Sequence, residues 1–325
     1  MELSDRSRAL QLVVEKGATA LQELGEVFQG DREIVLAAVS NHGDALRCAA
    51  ESCKMDREIV LAAVQRNGYA LKHAAESCKS DPEIVLAAVN KSGMALEYAA
   101  ATCKSEPEIV VAAVRKNGYA LMHAAECCKS DPAVVLAAVS KHGHALQFAC
   151  ASCTRDPMIV LAAVQNNGNA LVFASESCKS DPEIVLAAVK QESTALEHAT
   201  ALCQSDRTIV LVAAEANPWA LEFAADELLE DPTFAPEAKC REVFYILKVY
   251  LLSGQSCCLV AAVDETALEI IFQCCDKLGR DRIGREQLLH GAVILEPNMS
   301  VRDWPGIQFG KVKEHKKGTN RTQKK

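Results

Sequence analysis

The residues best suited to chemistry are fifteen cysteines and eight histidines, because thiols and imidazoles act as nucleophiles, acid–base groups and metal ligands. Seven of the cysteines follow one another at intervals of 25 residues, and Leu228 takes the next place in the series. A place that accepts cysteine or leucine favours a buried, reduced, apolar side chain. We therefore predict packing, and not catalysis, for Cys53, Cys78, Cys103, Cys128, Cys153, Cys178 and Cys203.

One cysteine pair has the spacing of a redox motif. Cys150 and Cys153 form a C-x-x-C sequence because Cys150 replaces an alanine found at the matching place of most other copies. The pattern puts the pair at a helix end, whereas a thioredoxin-like nucleophile lies near a helix start, so redox chemistry is the weaker interpretation. The spacing of a zinc site is also missing from the adjacent pairs Cys127-Cys128, Cys257-Cys258 and Cys274-Cys275.

The histidines do not converge on a metal site. His73, His123 and His198 share one place in copies that are two or three repeats apart, so stacked helices ~10 Å apart would separate them by roughly 20–30 Å. His142 and His144 have no further ligand at suitable spacing. No nucleophile–base set or phosphate-binding loop stands out either. We expect a non-enzymatic protein with no catalytic residue, metal or cofactor.

The elements that position these residues are copies of one 25-residue repeat. Eight copies fill residues 31–230 and are preceded by a degenerate capping copy in residues 1–30. We number the eight copies as repeats 1 to 8 and count positions 1 to 25 within each. Repeats 1 to 8 begin at Asp31, Asp56, Asp81, Glu106, Asp131, Asp156, Asp181 and Asp206.

Each repeat is predicted to form two short helices. The residue at position 1 caps a buried first helix, and glycine at position 13 supplies a left-handed stop. A second helix follows, with positions 15, 16, 19, 20 and 23 on one arc. A pair this short must stack on its neighbours to bury its apolar face. The sequence therefore predicts a mainly α protein, a right-angled or curved α-solenoid of helix pairs.

The repeat pattern D-x-E-I-V-L-A-A-V-x-x-N-G-x-A-L resembles a tandem repeat of algal, protist and some bacterial proteins that is catalogued as a domain of unknown function. The resemblance extends over residues 31–230. It implies an interaction module and brings no known activity or ligand.

Positions 14 and 18 are predicted to lie one helical turn apart on one face. Two interpretations stay open: these side chains cover the seam between repeats, or they recognise a protein or peptide partner. Stacking of nucleic-acid bases is disfavoured because the chain carries a net charge of −8. The candidate partner-binding residues are Tyr69, His73, Tyr98, Tyr119, His123, His144, Phe148, Phe173, Trp219 and Phe223.

The repeat pattern ends after Glu230. We predict a linker with a connecting helix over 231–242, a small α+β domain over 243–312 and a basic disordered tail over 313–325. Within the domain, the sequence predicts a hairpin of strands 243–252 and 257–263, a helix that ends at Leu278, and two short strands around Gly291.

This order of elements resembles the β-grasp of ubiquitin-like domains. The local match is Gln287–Glu296 followed by Ser300–Trp304. The resemblance implies a docking face that includes Leu289 and His290, and an alternative function as a ubiquitin-pathway adaptor. The segment expected to form the last strand, 309–317, is rich in lysine. The domain lacks a Gly-Gly pair, so we expect docking and not conjugation.

Three further features of the sequence predict the location and the kind of partner. The start of the chain lacks the pattern of a secretory signal, and residues 244–263 are interrupted by a polar turn. We expect a cytoplasmic monomer that binds protein or peptide and neither nucleic acid nor membrane. The basic tail adds the option of nuclear import.

Overall fold

The structure is a computed structural model. It describes residues 3–16, 18–229, 231, 234, 244–250, 256–262, 289–290 and 293–294. These residues fall into two compact parts, Met1–Cys203 and Gln204–Lys325, and each part is described by itself. The described residues are mainly helical and form repeated units.

The first element of each repeat is an α-helix, as predicted. In most repeats the position-1 aspartate caps it; the carboxylate of Asp31, for example, accepts hydrogen bonds from the amides of Glu33 and Ile34. Such a cap satisfies backbone donors that would otherwise have no partner. The eight helices are Arg32–Asn41, Arg57–Arg66, Pro82–Lys91, Pro107–Lys116, Pro132–Lys141, Pro157–Asn166, Pro182–Gln191 and Arg207–Ala216.

The predicted second helix is wrong as a single element. Positions 13 to 18 form a 3₁₀ helix instead, and the backbone is then extended at positions 19 and 20, with ψ near 150–160° in Ala49 and Ala50. The 3₁₀ helices are Gly43–Cys48, Gly68–His73, Gly93–Tyr98, Gly118–His123, Gly143–Phe148, Gly168–Phe173, Ser193–His198 and Pro218–Phe223.

A separate short turn closes each repeat. In repeat 5 it is the 3₁₀ turn Cys153–Arg155; in the others it is a four-residue α-helical turn. These α-helical turns are Glu51–Lys54, Glu76–Lys79, Ala101–Lys104, Glu126–Lys129, Glu176–Lys179, Ala201–Gln204 and Asp226–Leu229.

A hydrogen bond to the preceding repeat explains the break between the 3₁₀ helix and the closing turn. The position-20 amide donates to the position-24 carbonyl of the repeat before it, as from Ala75 to Lys54 at 3.0 Å and from Ala125 to Lys104 at 3.0 Å. The extended residues direct this amide out of its own repeat. A helix continued through position 20 would have used the same donor internally.

The position-13 glycines are required by close approach and not by a left-handed turn. None of those in repeats 1 to 6 has a positive φ, which among the described glycines occurs only at Gly25. A Cβ on Gly118 would lie 2.4 Å from the carbonyl oxygen of Ala138 in the next repeat. The predicted left-handed stop is therefore wrong, since the glycine instead lets a 3₁₀ helix touch the end of the next first helix.

The core runs along the stacked repeats of the first part. Positions 4, 5, 8 and 9 of each first helix are buried, together with positions 15, 16, 19 and 23 of nearly every repeat. Position 20 was predicted to be buried with them, but its side chain is only half-buried because it lies at the break. The position-23 cysteines from Cys53 to Cys203 are at most 4 % exposed, which confirms their predicted burial.

Arginine at position 2 links the starts of neighbouring helices. Arg6 contacts Asp31 at 3.0 Å, and Arg57 contacts Asp81 at 2.9 Å. The hydrogen bond from Arg6 lowers the pKa of Asp31. Repeats 3 to 7 have proline at position 2 and begin their helices without this ion pair.

The N-terminal copy consists of three helices, Leu3–Lys16, Ala18–Glu23 and Glu26–Gln29. The first of them packs against the first helix of repeat 1. Its buried residues Ala9 and Val13, together with Leu21 of the second helix, extend the core by one layer.

Four strands lie in the second part: β1 (Phe244–Tyr250), β2 (Ser256–Ala262), β3 (Leu289–His290) and β4 (Val293–Ile294). The sheet order is β2-β1-β3-β4, and every neighbouring pair is antiparallel. Strands were predicted at these four places. The predicted connecting helix, the helix that ends at Leu278, the last strand and the tail lie outside the described residues.

Candidate partner-binding surface

The candidate residues of the first part lie in the 3₁₀ helices. In each of these helices position 14 lies outside the core, whereas positions 15 and 16 point inward. The side chains of Tyr69 and Tyr119 are 45 % and 37 % exposed. The others are half-buried. We call this set the ring row: Tyr69, His73, Tyr98, Tyr119, His123, His144, Phe148 and Phe173.

The rings of this row meet across the seams between repeats. Position 14 of one repeat packs edge-on against position 18 of the next, with ring centroids 6.5 Å apart for Tyr69 and Tyr98 and also for Tyr119 and Phe148. His144 and Phe173 make the same contact at 5.6 Å. We predicted pairing of positions 14 and 18 within one repeat, where a 3₁₀ helix with three residues per turn does not align them.

The ring row therefore covers the seams and also presents an exposed surface. The seam contacts fix the rings, while Tyr69 and Tyr119 keep large open fractions. The two interpretations of the sequence are thus compatible. The contacts account for the half-buried rings, and no described residue of the first part covers the exposed faces of the two tyrosines.

The histidines of position 18 are adapted to a half-buried place. Burial lowers the pKa of His73 and of His123. A lowered pKa favours the neutral imidazole. Both side chains therefore resemble the phenylalanines that repeats 5 and 6 have at this position, and they act as rings of the row.

A basic edge borders the ring row, and sequence reasoning missed it. The last turns of the first helices in repeats 2 to 5 carry five exposed cationic side chains and no acidic one. A column of Arg and Lys at positions 10 and 11 was the available signal. The basic edge consists of Arg66, Lys91, Arg115, Lys116 and Lys141.

Contacts between neighbouring repeats tie the basic edge to the ring row. The Arg66 guanidinium donates through Nε to the carbonyl of Asn41 at 2.9 Å. One residue further, Asn67 donates to the position-14 carboxylate of Asp44 at 2.7 Å. Positions 11, 12 and 14 therefore lie on the same border of the array.

His142 is a second residue that the sequence did not single out for this surface. Its ring stacks on Tyr119 with centroids 4.8 Å apart and an interplanar angle of 11°. Its Nδ1 accepts a hydrogen bond from the Gly118 amide at 3.0 Å. In repeat 5, position 12 thus adds an aromatic ring beside the row.

The other end of the first helices in repeats 2 to 4 is acidic. Repeats 2 to 4 each carry an acidic residue at position 1 and a glutamate at position 3. Because the first helices run in register through the stack, their starts form one border and their ends another. The net negative charge of the chain therefore does not describe the border beside the ring row.

The remaining candidate residues lie in the second part. Trp219 is 37 % exposed and Phe223 is half-buried, in the 3₁₀ helix of repeat 8. Leu289 and His290 form β3. The docking role predicted for them stays a prediction.

Among the described residues, we find no group of three or more potential metal ligands. In the same residues, every helix is too short or too polar to cross a bilayer.

The sequence matches one family, described as "Domain of unknown function (DUF4116)", in four segments: residues 5–54, 56–101, 107–152 and 159–202. Each segment spans about two of the 25-residue repeats, and together they cover more than half of the chain. No curated protein and no solved structure is significantly similar to the chain.

Proposed function

The chain belongs to the DUF4116 family, and we propose that its repeats form a non-enzymatic scaffold that binds an acidic peptide segment of another protein. The observation that supports this proposal is the ring row of repeats 2 to 6 beside the basic edge. The peptide would lie along the row, with apolar or aromatic side chains against Tyr69 and Tyr119 and carboxylates facing the basic edge.

The ring row suits binding because its side chains are already fixed. Contacts of 6.5 Å across two seams hold Tyr69 and Tyr119 in place before a partner arrives. Less conformational entropy is then lost on binding than for free side chains. Tyrosine and arginine are also the residue types that contribute most to interface hot spots.

The basic edge selects the charge of the partner. Five cations without a nearby acidic residue in the same helical turns attract carboxylates and speed their association. This attraction is screened by salt. A neutral or basic peptide would lack it, so the proposal commits to an acidic segment.

The test is selection from a displayed library of random peptides on the full chain, followed by titration of the enriched peptides. We expect acidic peptides with aromatic or large apolar residues to be enriched. Their affinity should fall as salt is raised. Enrichment of basic peptides, or of none, would overturn the proposal.

Substitutions drawn from the repeat itself locate the binding surface. Repeat 6 has asparagine at position 14, so the double variant Tyr69→Asn, Tyr119→Asn should fold and weaken a selected peptide roughly 30-fold, the effect of losing ~2 kcal/mol at a hot spot. The matched control is Met158→Glu, which removes a side chain that is 72 % exposed at position 3 and restores the usual glutamate. Equal loss in both variants would contradict the proposed surface.

A second candidate function rests on the C-terminal strands. We propose that residues 243–312 form a ubiquitin-like domain and that the chain is a ubiquitin-pathway adaptor. Support comes from the antiparallel pairing of β1 with β2 and of β3 with β4. The test is capture of purified ubiquitin receptors by the chain and by Leu289→Ala. Equal capture by both would remove the predicted docking face.

A further inference from the structure

Repeat 5 differs from the other repeats at the start of its closing turn. Its position 20 is Cys150, where the other seven repeats have alanine, serine or threonine. Its closing element is the 3₁₀ turn Cys153–Arg155 and not an α-helical turn. The sequence pattern predicted that Cys150 lies at a helix end. This is wrong, because the chain breaks at positions 19 and 20 and a new turn begins there.

The two thiols of this turn are close and unequally accessible. The Sγ atoms of Cys150 and Cys153 are 3.8 Å apart. Cys150 is half-buried and Cys153 is 1 % exposed. Residues three apart in one helical turn have Cα atoms within the range that a disulfide spans. One thiol is therefore open to a reagent, and the other lies beside it under cover.

We propose that Cys150 and Cys153 form a thiol–disulfide exchange site that reacts with a small disulfide of the glutathione class. Cys150 is the attacking thiol and Cys153 the resolving thiol. The product is a disulfide within repeat 5. This inference is independent of the peptide-binding role proposed above.

The surroundings of Cys150 favour its thiolate. The Ser152 hydroxyl lies 2.8 Å from the Cys150 sulfur. This hydrogen bond, together with the amides of Cys153 and Ser152, outweighs burial and lowers the pKa of Cys150 to about 6. The thiolate is the reactive form of cysteine, so Cys150 is prepared for attack at neutral pH.

Cys153 stays protonated and unreactive until Cys150 has reacted. Burial first, and then the hydrogen bond and charge of Cys150, raise the pKa of Cys153 to about 11. Once Cys150 carries a mixed disulfide, its negative charge is gone and one cause of the raised pKa disappears. The order of the two steps follows from this change.

The reaction balances as two exchanges. In the first, the Cys150 thiolate attacks one sulfur of the disulfide RS–SR, the S–S bond breaks, and RS⁻ leaves and takes a proton from water. In the second, Cys153 gives its proton to solvent and attacks the Cys150 sulfur, and the second RS⁻ leaves. Two protein thiols are oxidised and one small disulfide is reduced to two thiols.

The product changes one contact between repeats. In the reduced protein the Cys153 thiol donates to the carbonyl of Ser130 in repeat 4, with the two atoms 3.7 Å apart. A disulfide sulfur has no proton to donate. Oxidation therefore removes this hydrogen bond and weakens the seam between repeats 4 and 5 locally.

The test exposes the reduced full chain to oxidised glutathione and maps its tryptic peptides. The peptide from His142 to Arg155 contains only these two cysteines, and the peptide from Asn117 to Lys129 contains the adjacent pair Cys127 and Cys128 as an internal control. We expect a disulfide in the first peptide. At pH 6 Cys150 should react about tenfold faster than an ordinary exposed thiol, since its larger thiolate fraction outweighs its lower nucleophilicity.

Two variants separate the roles of the two thiols. Cys150→Ala restores the residue of five other repeats, so it should fold normally and leave Cys153 unreactive. Cys153→Ser should accumulate glutathione on Cys150 as a mixed disulfide. A wild-type chain that keeps an unresolved mixed disulfide on Cys150 would overturn the proposal. So would oxidation of Cys153 in Cys150→Ala, or equally fast reaction of Cys127.

Discussion

In the first half of repeat 4, the helix Pro107–Lys116 closes its hydrogen bonds within itself, whereas the second half depends on its neighbours. There the Ala125 amide donates to Lys104 of the preceding repeat. Gly118 approaches the following repeat so closely that a Cβ would meet the Ala138 carbonyl oxygen at 2.4 Å. The first half is thus determined locally, and the second half takes its shape from the repeats on either side.

The largest expected effect comes from disrupting the first helix of repeat 4, which is the locally determined half. Proline at Ala113 removes an internal amide and clashes with the preceding turn, so Ala113→Pro should cost ~3 kcal/mol or more. Hydrogen exchange should show repeat 4 losing protection first, because each repeat packs mainly on its neighbours. Arg57→Pro is the control, since proline at position 2 occurs in repeats 3 to 7 and should leave its helix intact. Loss of protection in all repeats in a single step would indicate one undivided core.

The next effect tests the half that depends on its neighbours. The sign of the change in stability decides between helix propensity and close approach to the next repeat. Helix propensity alone would make Gly118→Ala stabilising by about 1 kcal/mol. The 2.4 Å approach to Ala138 should reverse this and destabilise by about 1–3 kcal/mol, as overpacking does. Chemical denaturation measures the change. Gly30→Ala is the control because its nearest non-adjacent atom would be 3.8 Å away. A stabilised Gly118→Ala variant would show that the next repeat moves away at little cost to make room for the added Cβ.

A smaller effect concerns the cap at the start of the first helix. The first helix of repeat 4 is preceded by Glu106, whose side chain makes no capping hydrogen bond, whereas Asp81 caps the first helix of repeat 3. Glu106→Asp should therefore stabilise the protein by about 0.5–1 kcal/mol. Asp81→Glu should have the opposite effect. Equal stability of all three proteins would show that position 1 is unimportant to the repeat.

The smallest effect is a dependence on pH in the second half. Burial lowers the pKa of His123 from its ordinary value of 6.5, so the unfolded state binds the proton more strongly. Stability is therefore complete above 6.5, the pKa of the unfolded state, and should decrease as the pH falls from there through the lowered pKa of the folded state. His123→Phe, which copies position 18 of repeats 5 and 6, should reduce this decrease in denaturation curves between about pH 7 and pH 5. His198→Phe is the comparison variant, and an unchanged pH profile for His123→Phe would contradict this cause.

Much of the fold followed from the sequence where the signals are local. The caps at position 1 and the apolar run after it predicted the first helices, and the exchange of Cys and Leu predicted buried cysteines. The break at positions 19 and 20 could not be read in this way, because its cause is an acceptor carbonyl in another repeat. The same break explains why Cys150 was assigned to a helix end, whereas the wrong pairing of Tyr69 and His73 came from expecting an α-helix where a 3₁₀ helix forms.

The candidate surface was predictable in its aromatic residues and not in its charge. Position 14 varies among the copies, which pointed to Tyr69 and Tyr119. The basic edge was hidden by the net charge of −8, since a sum over the chain does not separate the two ends of parallel helices. Only the stacking in register brings Arg115, Lys116 and Lys141 to the border of the ring row.

The single amide–carbonyl bond between consecutive repeats has a consequence for how such genes change in length. Each copy offers one carbonyl forward and one amide backward, as Lys79 and Ala75 do in repeat 2. An extra copy inserted between two others would therefore meet the same partners on both sides. Arrays that gain or lose whole copies would therefore keep the same bond at every junction, and the number of repeats can change without a change in the fold of each copy.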